Sequence, residues 1–227
     1  MMPKSDNRMF TSIAKHYDTL NHAFSFCQDI YWRRQALGFC RNADKHKRLR
    51  ILDVATGTGE LAIDLARSFP NAEVIGVDIN DEMLNAAKAR KRLPMNVEFR
   101  KGDAEDLEYP DSHFDMVTSG FALRNFADLD AALKEMHRVV KRGGRMVLLD
   151  MERPNASVFA PLIKFYFFTA IPAMGGIATG NKKAYEFLPK SVWEFSEERV
   201  FRTVKRLPHA DIFRKRMFGA FVDCVIK

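Results

Sequence analysis

The stretch Ile51–Ala62, "ILDVATGTGELA", is a short apolar run closed by an acid, followed by two glycines around a threonine where a helix should begin. An apolar run of that length bounded by turn residues reads as a buried strand, and glycines let the chain turn tightly into the next helix. Working outward, the same alternation repeats. We expect strand 49–54, a glycine turn, helix 59–68 and strand 72–79, then a helix over 80–93 capped by Asn80 or Asp81. Strand 96–100, a loop, strand 114–120, helix 128–141, a stop at Gly143-Gly144 and strand 145–151 follow. Strand, helix and strand at this spacing imply parallel βαβ units with strands buried on both faces, a doubly wound α/β sheet. Ligands of such sheets sit at the carboxyl ends of the strands, beside the switch in strand order.

Before this core, Met9, Phe10, Ile13, Tyr17, Leu20 and Phe24 fall at helical spacing, so residues 9–24 read as an amphipathic helix. After Met151 the rhythm stops. "SVFAPLIKFYFFTAIPAMGGIA" (157–178) is apolar and aromatic, but Lys164, two prolines and a glycine pair make it a poor membrane span. Two readings stay open, plain core or a lid giving a greasy wall to the site. The end of the chain reads as a helix around "FRTVKRL" and two strands paired as a hairpin around Gly219. We expect one domain over 1–227, with a helical lid in 1–48, a ligand-binding core in 49–151, and an acceptor-side lid and final strands in 152–227.

Composition narrows the class. The chain has 227 residues, 47% hydrophobic and 29% charged, as in a soluble globular protein. Its opening residues hold no apolar signal-like run, and its three cysteines are odd in number with no C-x-x-C pair, which fits a reducing cytoplasm. The six histidines have no metal-ligand spacing, so no metal is expected. The net charge of +7 gathers in "KHKRLR" (45–50), "KARKRL" (88–93) and "RKR" (214–216). These read as a solvated face, or as a surface drawn to anionic lipid. None is interleaved with stacking aromatics, which disfavours nucleic acid.

The ligand is decided at Asp53. Gly57-x-Gly59-x-x-Ala62 satisfies the dinucleotide fingerprint, and a helix N-terminus attracts a pyrophosphate. A carboxylate closing the strand beside that pyrophosphate would repel it. S-adenosylmethionine has no phosphate; its ammonium suits Asp53, and its carboxylate can use backbone N–H groups near the helix start. Asp78, 25 residues after Asp53, can take both ribose hydroxyls. Asp103 can accept from the adenine amino group and the Ala104 N–H can donate to a ring nitrogen. Three acids at three successive strand ends, the first with a G-x-G, favour S-adenosyl-L-methionine. The expected cofactor contacts are Asp53, Gly57, Thr58, Gly59, Asp78, Ile79, Asp103, Ala104 and Gly120.

"LDVATGTGELA", "VIGVDINDEML", "GDAEDL" and above all "SGFALRNFADLDAALKEMHRVVKRGG" resemble the C-methyltransferases of menaquinone and ubiquinone biosynthesis. "FTSIAKHYDTLN", "WRR", "LDMERP" and "AYEFLPKSVWEF" extend the resemblance over residues 8–196. It implies a seven-stranded class I methyltransferase fold with the last strand antiparallel. It implies methyl transfer from S-adenosylmethionine to a ring carbon of a prenylated quinol precursor, and Arg124 and Asn125 fall on the family's "LRN" site. A ring carbon becomes nucleophilic when the adjacent hydroxyl ionises, and a buried guanidinium at Arg124 would stabilise that oxyanion. The bland alternative for Arg124 is an ion pair with Asp128. The base stays open among a water held by Arg124 and Asn125, His16, and Asp18.

The family pattern thins at the end, where "SEERVFRTVKRLPHAD" is short and "MFGAFV" has one glycine, so the acceptor is the less specified half. Competing readings are a methyltransferase of another small hydrophobic acceptor, and a non-catalytic S-adenosylmethionine-binding subunit of a membrane-associated complex. A peripheral membrane contact follows from the basic surplus and the 157–178 segment, and a homo-oligomer stays open. "SGFALRN" is not the Asn/Asp-Pro-Pro-aromatic turn that grips a flipped base.

Overall fold

The computed structural model describes residue 11 and residues 17–40, 48–153 and 159–227. Seven strands form one sheet in the order β3-β2-β1-β4-β5-β7-β6. They are β1 (Arg50–Val54), β2 (Glu73–Asp78), β3 (Val97–Lys101), β4 (Phe114–Gly120), β5 (Val140–Met151), β6 (Asp211–Met217) and β7 (Ala220–Ile226). The first five strands pair in parallel, and β7 runs antiparallel to both β5 and β6, as expected. The β6–β7 hairpin turns at Gly219.

Before the sheet lie α1 (Tyr17–Phe24) and α2 (Gln28–Cys40); α3 (Glu60–Ser68), α4 (Asp81–Lys88) and α5 (Leu129–Val139) alternate with the strands. Then come α6 (Ala160–Phe165), a single wide turn over Tyr166–Ala170, α7 (Ile171–Thr179), α8 (Lys182–Glu194) and α9 (Glu197–Lys205). Successive strand residues serve opposite faces, as the period of two requires. Ile51, Met116, Val147 and Val222 pack under α2, α3 and α4, whereas Leu52, Val117, Leu148 and Phe221 pack under α5 and α9.

Three boundaries depart from expectation. The helix over 80–93 stops at Lys88, since Arg90 turns back towards α1 and Pro94 disfavours helix in the residue before it. The helix over 128–141 stops at Val139, and Gly143-Gly144 is no stop but part of β5, which begins at once at Val140. A bulge absorbs the extra residues, with Phe114 opposite Val140 and Met116 opposite Arg145. Gly144 is needed there because a Cβ would lie 2.9 Å from the Asp115 carbonyl oxygen. Third, the 157–178 segment is helical from Ala160 and largely exposed, so the plain-core reading falls. Its inner side, with Ile163, Tyr166 and Ile171, faces a cavity instead. Met9, Phe10, Ile13 and His16 lie outside the described residues.

Candidate active site

The strand order reverses between β1 and β4, and a cavity of about 720 Å³ opens at the carboxyl ends of these strands. That is within the usual range for small-molecule sites, roughly 300–1,000 Å³. Its floor is polar. Asp53, at the end of β1, is buried and accepts the Thr56 and Thr118 hydroxyls, both at 2.6 Å. Burial pushes its carboxyl up to about 6, against the opposing pull of those two hydroxyls.

Asp78, at the end of β2, is 9% exposed. Its Oδ2 accepts the Gly57 N–H at 2.7 Å and its Oδ1 accepts the Asn80 N–H at 2.9 Å, which ties the glycine loop to the second strand. Burial raises its carboxyl above the usual carboxylate range, against these backbone donors. An ionised carboxylate offers about four acceptor positions, so acceptor capacity remains for a ligand beyond the backbone N–H groups of Gly57, Ile79 and Asn80. Ile79, Asp103, Ala104 and Gly120 line the same cavity, and Asp103 orders its own loop by accepting the Glu105 N–H at 2.9 Å.

Of the expected cofactor contacts only Gly59 does not line the cavity. Its φ is +82°, and a Cβ there would lie 2.5 Å from the Phe99 ring. Gly59 therefore sets the close packing of the loop on β3, and Gly57, where a Cβ would meet nothing within 4 Å, is the glycine that borders open space.

Arg124 and Asn125 sit in a single 3₁₀ turn, Leu123–Asn125, just beyond β4. Arg124 does not pair with Asp128, which instead caps α5 by accepting the Asp130 and Ala131 N–H groups. Its partner is Asp150 near the end of β5. The parallel register sets Gly120 opposite Leu149, so Asp150 emerges beside the turn that carries Arg124. Asp150 is fully buried and also accepts the Arg124 N–H at 3.2 Å and the Met151 N–H at 2.7 Å. Phe121 has a left-handed φ of 61°, and its carbonyl accepts Arg124 Nη1 at 2.9 Å. The guanidinium is thus held by two fixed groups, the Asp150 carboxylate and the Phe121 carbonyl. Its Nε and the neighbouring Asn125 Oδ1 are buried with no hydrogen-bond partner.

The N-terminal helix covers this floor. Tyr17 lies within electrostatic reach of Arg124 and Asp150; burial raises its phenol, partly offset by the Arg124 charge. Asp18 faces the other way, accepting the Thr58 hydroxyl at 2.6 Å and pairing with Arg90, whose Nε donates to the Thr58 carbonyl at 2.7 Å. Asp18 is therefore committed to the glycine loop and does not stand with Arg124 as a base. Beside it, Arg33 bridges Asp29 at 3.0 Å and Glu60 at 2.9 Å, and His22 Nδ1 lies 2.6 Å from Asp29. Those carboxylates, which with His22 would make a three-ligand metal set, are already engaged by the guanidinium.

Residues 3–212 match the model of the ubiE/COQ5 methyltransferase family. The chain belongs to that family. The demethylmenaquinone methyltransferase of Thermus thermophilus is 43% identical over 198 residues, 86% of this chain and 88% of that one. That of Deinococcus radiodurans is 40% identical, covering 93% and 87%, and the ubiquinone/menaquinone biosynthesis C-methyltransferase of Rickettsia akari is 36% identical, covering 95% and 89%. Among solved structures, a SAM-dependent methyltransferase from Aquifex aeolicus aligns with a TM-score of 0.59 at 19% identity, over 84% of this chain and 88% of that one. Phosphoethanolamine N-methyltransferase 2 of Haemonchus contortus, in complex with S-adenosyl-L-methionine, aligns at 0.61 and 16%, over 86% and 52%. These two share the fold.

The chain is thus a methyltransferase with S-adenosyl-L-methionine as its cofactor. The polar floor fits that donor: a loop with open space above Gly57 and a buried carboxylate with spare acceptor positions stand where its amino acid and ribose ends need partners. Asp150, Tyr17, Thr56 and Thr118 are site residues that the motifs do not single out. "LDMERP" carried a signal for the first, an acid closing a buried strand as Asp53 closes β1. The others become visible only once the strands are paired. The basic run 88–93 is likewise not merely a solvated face, since Arg90 pairs with Asp18 of α1.

The Asp18 clasp leads to one expectation. Asp18 and Arg90 are each about a quarter exposed, so solvent weakens the pair, yet it joins the lid to the loop. Asp18→Ala should speed S-adenosylmethionine dissociation by about tenfold, which is ~1.4 kcal/mol, while the melting temperature stays within about 2 °C. Stopped-flow displacement checks this; an unchanged off-rate would remove the clasp from cofactor retention.

Proposed function

We propose that this methyltransferase places a methyl group on a ring carbon of a prenylated quinol, a demethylmenaquinol or the corresponding ubiquinone precursor. The observation that carries the reading is the unmatched pair at Arg124 and Asn125. Arg124 and Asn125, whose Nε and Oδ1 are buried without partners, belong to residues that line a cavity also lined by Phe24, Tyr166, Phe167 and Ile171. One phenolic hydroxyl satisfies both at once: Asn125 Oδ1 accepts its O–H, and Arg124 Nε donates to its oxygen. The relatives named above act, by their names, on demethylmenaquinone or in ubiquinone and menaquinone biosynthesis.

When bound, S-adenosylmethionine supplies a methyl group on a positively charged sulfur. Asp53 faces its ammonium, the Gly57–Thr58 backbone its carboxylate, Asp78 its ribose hydroxyls, Ile79 and Asp103-Ala104 its adenine, and Gly120 keeps the wall low beside the reacting group. Arg124 holds the acceptor oxygen and meets the negative charge that appears there as the hydroxyl proton passes to water. Once the ring carbon takes the methyl group from sulfur, that carbon's own hydrogen leaves as a proton and the oxygen is reprotonated, which gives the methylated quinol. Charge on that oxygen raises electron density at the adjacent ring carbon. Because the guanidinium is already fixed by Asp150 and Phe121, no reorganisation is needed as the charge develops. Residues 49–151 hold the donor, and the described parts of 1–48 and 152–227 close over it. We place the enzyme in the cytoplasm, against the membrane that holds its acceptor.

The raised Asp53 carboxyl makes cofactor binding pH-dependent. Its folded value, about 6, exceeds the ordinary ~3.9, so the protonated form is favoured in the donor-free fold. That stabilising contribution is complete below about pH 4 and is lost as pH rises through about 6. An ammonium beside Asp53 prefers the carboxylate, so affinity for S-adenosylmethionine should fall by up to about tenfold per pH unit below about 6. Calorimetry across this window checks it, and Asp53→Asn should flatten the profile. A wild-type profile level down to about pH 5 would release Asp53 from the ammonium.

Lipid profiling of a deletion strain tests the function. A demethylated quinone should accumulate and disappear again when the gene is restored; a normal quinone pool would refute the assignment.

A further inference from the structure

The cavity opens through a rim of large apolar side chains. Phe26, Leu162, Phe165 and Phe218 all line it, yet they are 73%, 64%, 60% and 75% exposed. They come from three separate parts of the chain: the turn between α1 and α2, helix α6, and the tip of the β6–β7 hairpin. Local structure fixes two of them there. Phe26 and Cys27 both adopt left-handed backbone, φ 51° and 60°, which non-glycine residues take only at a cost, and the Phe26 ring stacks on Tyr166 with centroids 5.5 Å apart. Phe218 is held in the tight turn completed by Gly219, φ +76°. Apolar side chains gathered from distant segments around one opening mark an interaction surface.

The helical run 160–179 continues this surface. It has 20 residues and a mean hydropathy of 1.3, with little of its length buried. One side is committed to the protein: Gly175 packs on Tyr185 so closely that a Cβ would lie 2.3 Å from the ring. Phe159 and Ile177, 66% and 88% exposed, continue the apolar surface beyond the rim. A run packed against protein along one side and carrying Lys164, Pro161 and Pro172 lies along a bilayer rather than across it.

We propose that this rim, with the outer side of residues 160–179, docks on a bilayer carrying anionic headgroups, so that the cavity mouth meets the acyl region. The inference rests on the reading of the acceptor as prenylated, since a tail longer than the cavity must leave through this mouth. Charge selects the occupant. Lys164 on α6 and Arg153 just beyond β5 are exposed and have no carboxylate partner among the described residues, and the whole chain carries +7. Exposed apolar side chains flanked by these two cations suit anionic lipid better than a second, equally basic copy of the chain.

The test is co-sedimentation of the whole protein with vesicles of phosphatidylcholine alone or with about one-third phosphatidylglycerol. The wild type should prefer the anionic vesicles by at least about tenfold, and salt near 1 M should erase that preference. Phe165→Ser/Phe218→Ser should lose about tenfold or more in anionic-vesicle binding with its melting temperature unchanged. Met95→Ser, at a fully exposed methionine just before β3 and therefore at the opposite end of the strands, should bind like wild type. Equal binding by wild type and rim variant overturns the proposal, as does a wild type that ignores anionic vesicles or buries the rim in a dimer. The two readings fail separately. Methylation of a tail-less quinol without vesicle binding sinks only the docking, and rim-dependent vesicle binding without quinol methylation sinks only the acceptor.

Discussion

Arg124→Met should lower kcat by about a hundred- to a thousandfold while S-adenosylmethionine affinity stays close to wild type. The guanidinium's hydrogen bonds go to Asp150 and the Phe121 carbonyl, not to groups assigned to the donor, and its Nε is left without a partner. Its contribution should grow as negative charge forms on the acceptor oxygen, so the loss falls on the rate rather than on cofactor binding. The pair with Asp150 complicates the single variant. Asp150 is wholly buried, and removing its partner leaves an uncompensated carboxylate, a cost on the order of 3–5 kcal/mol. Arg124→Met/Asp150→Asn removes that cost and should recover the melting temperature but not the rate. Asp150→Asn alone keeps the guanidinium and loosens it; we expect about a tenfold loss in kcat, as for other partners that orient a group touching substrate. Arg124→Lys should rescue only in part, because an ammonium keeps the charge and loses the planar fork. Single-turnover rates, cofactor affinity and melting temperature on the four proteins separate the roles. If the double variant regains stability and methylates at the wild-type rate, Arg124 is a structural residue only.

Asp78→Ala should weaken S-adenosylmethionine binding by about a hundredfold, ~3 kcal/mol, with the fold intact. Two hydrogen bonds from ribose hydroxyls to a charged acceptor disappear. The Gly57 N–H also loses the carboxylate that anchors it at 2.7 Å, so the loop under the donor is released as well. Asp78→Asn, which keeps one acceptor oxygen for the loop, should lose about tenfold. Calorimetry with thermal melts measures both. An Asp78→Ala protein that binds the donor as tightly as wild type would place the ribose elsewhere.

What was legible in the sequence follows from how local each signal is. The apolar, buried strands closed by Asp53 and Asp78, and the acid Asp103 after the more exposed third strand, could be read from neighbouring residues alone, and they led to the sheet, the loop and the cavity floor. Asp150 could not be matched to Arg124 that way, because 26 residues and a parallel β4–β5 register bring them together. Asp128, four residues on, looked the nearer partner but was already bound to the start of α5. Gly143-Gly144 read as a stop because a glycine pair usually ends a helix; here the β-branched Val139-Val140 had already turned the chain into β5, and the glycines serve a bulge. The clasp of Asp18 on Arg90 spans 72 residues and three intervening helices, beyond any periodicity. Gly59 was grouped with Gly57 as a donor contact, and only the packing of Phe99 tells their tasks apart.

The central claim is transfer to ring carbon at the Arg124 site. It is tested most directly by incubating the purified enzyme with S-adenosylmethionine bearing a ¹³C-methyl group and a short-tailed demethylmenaquinol under reducing conditions, then locating the label by NMR. The account predicts a ring-bound methyl, formed by the wild type and nearly absent with Arg124→Met/Asp150→Asn. A methyl on oxygen, or equal labelling by both proteins, would contradict it.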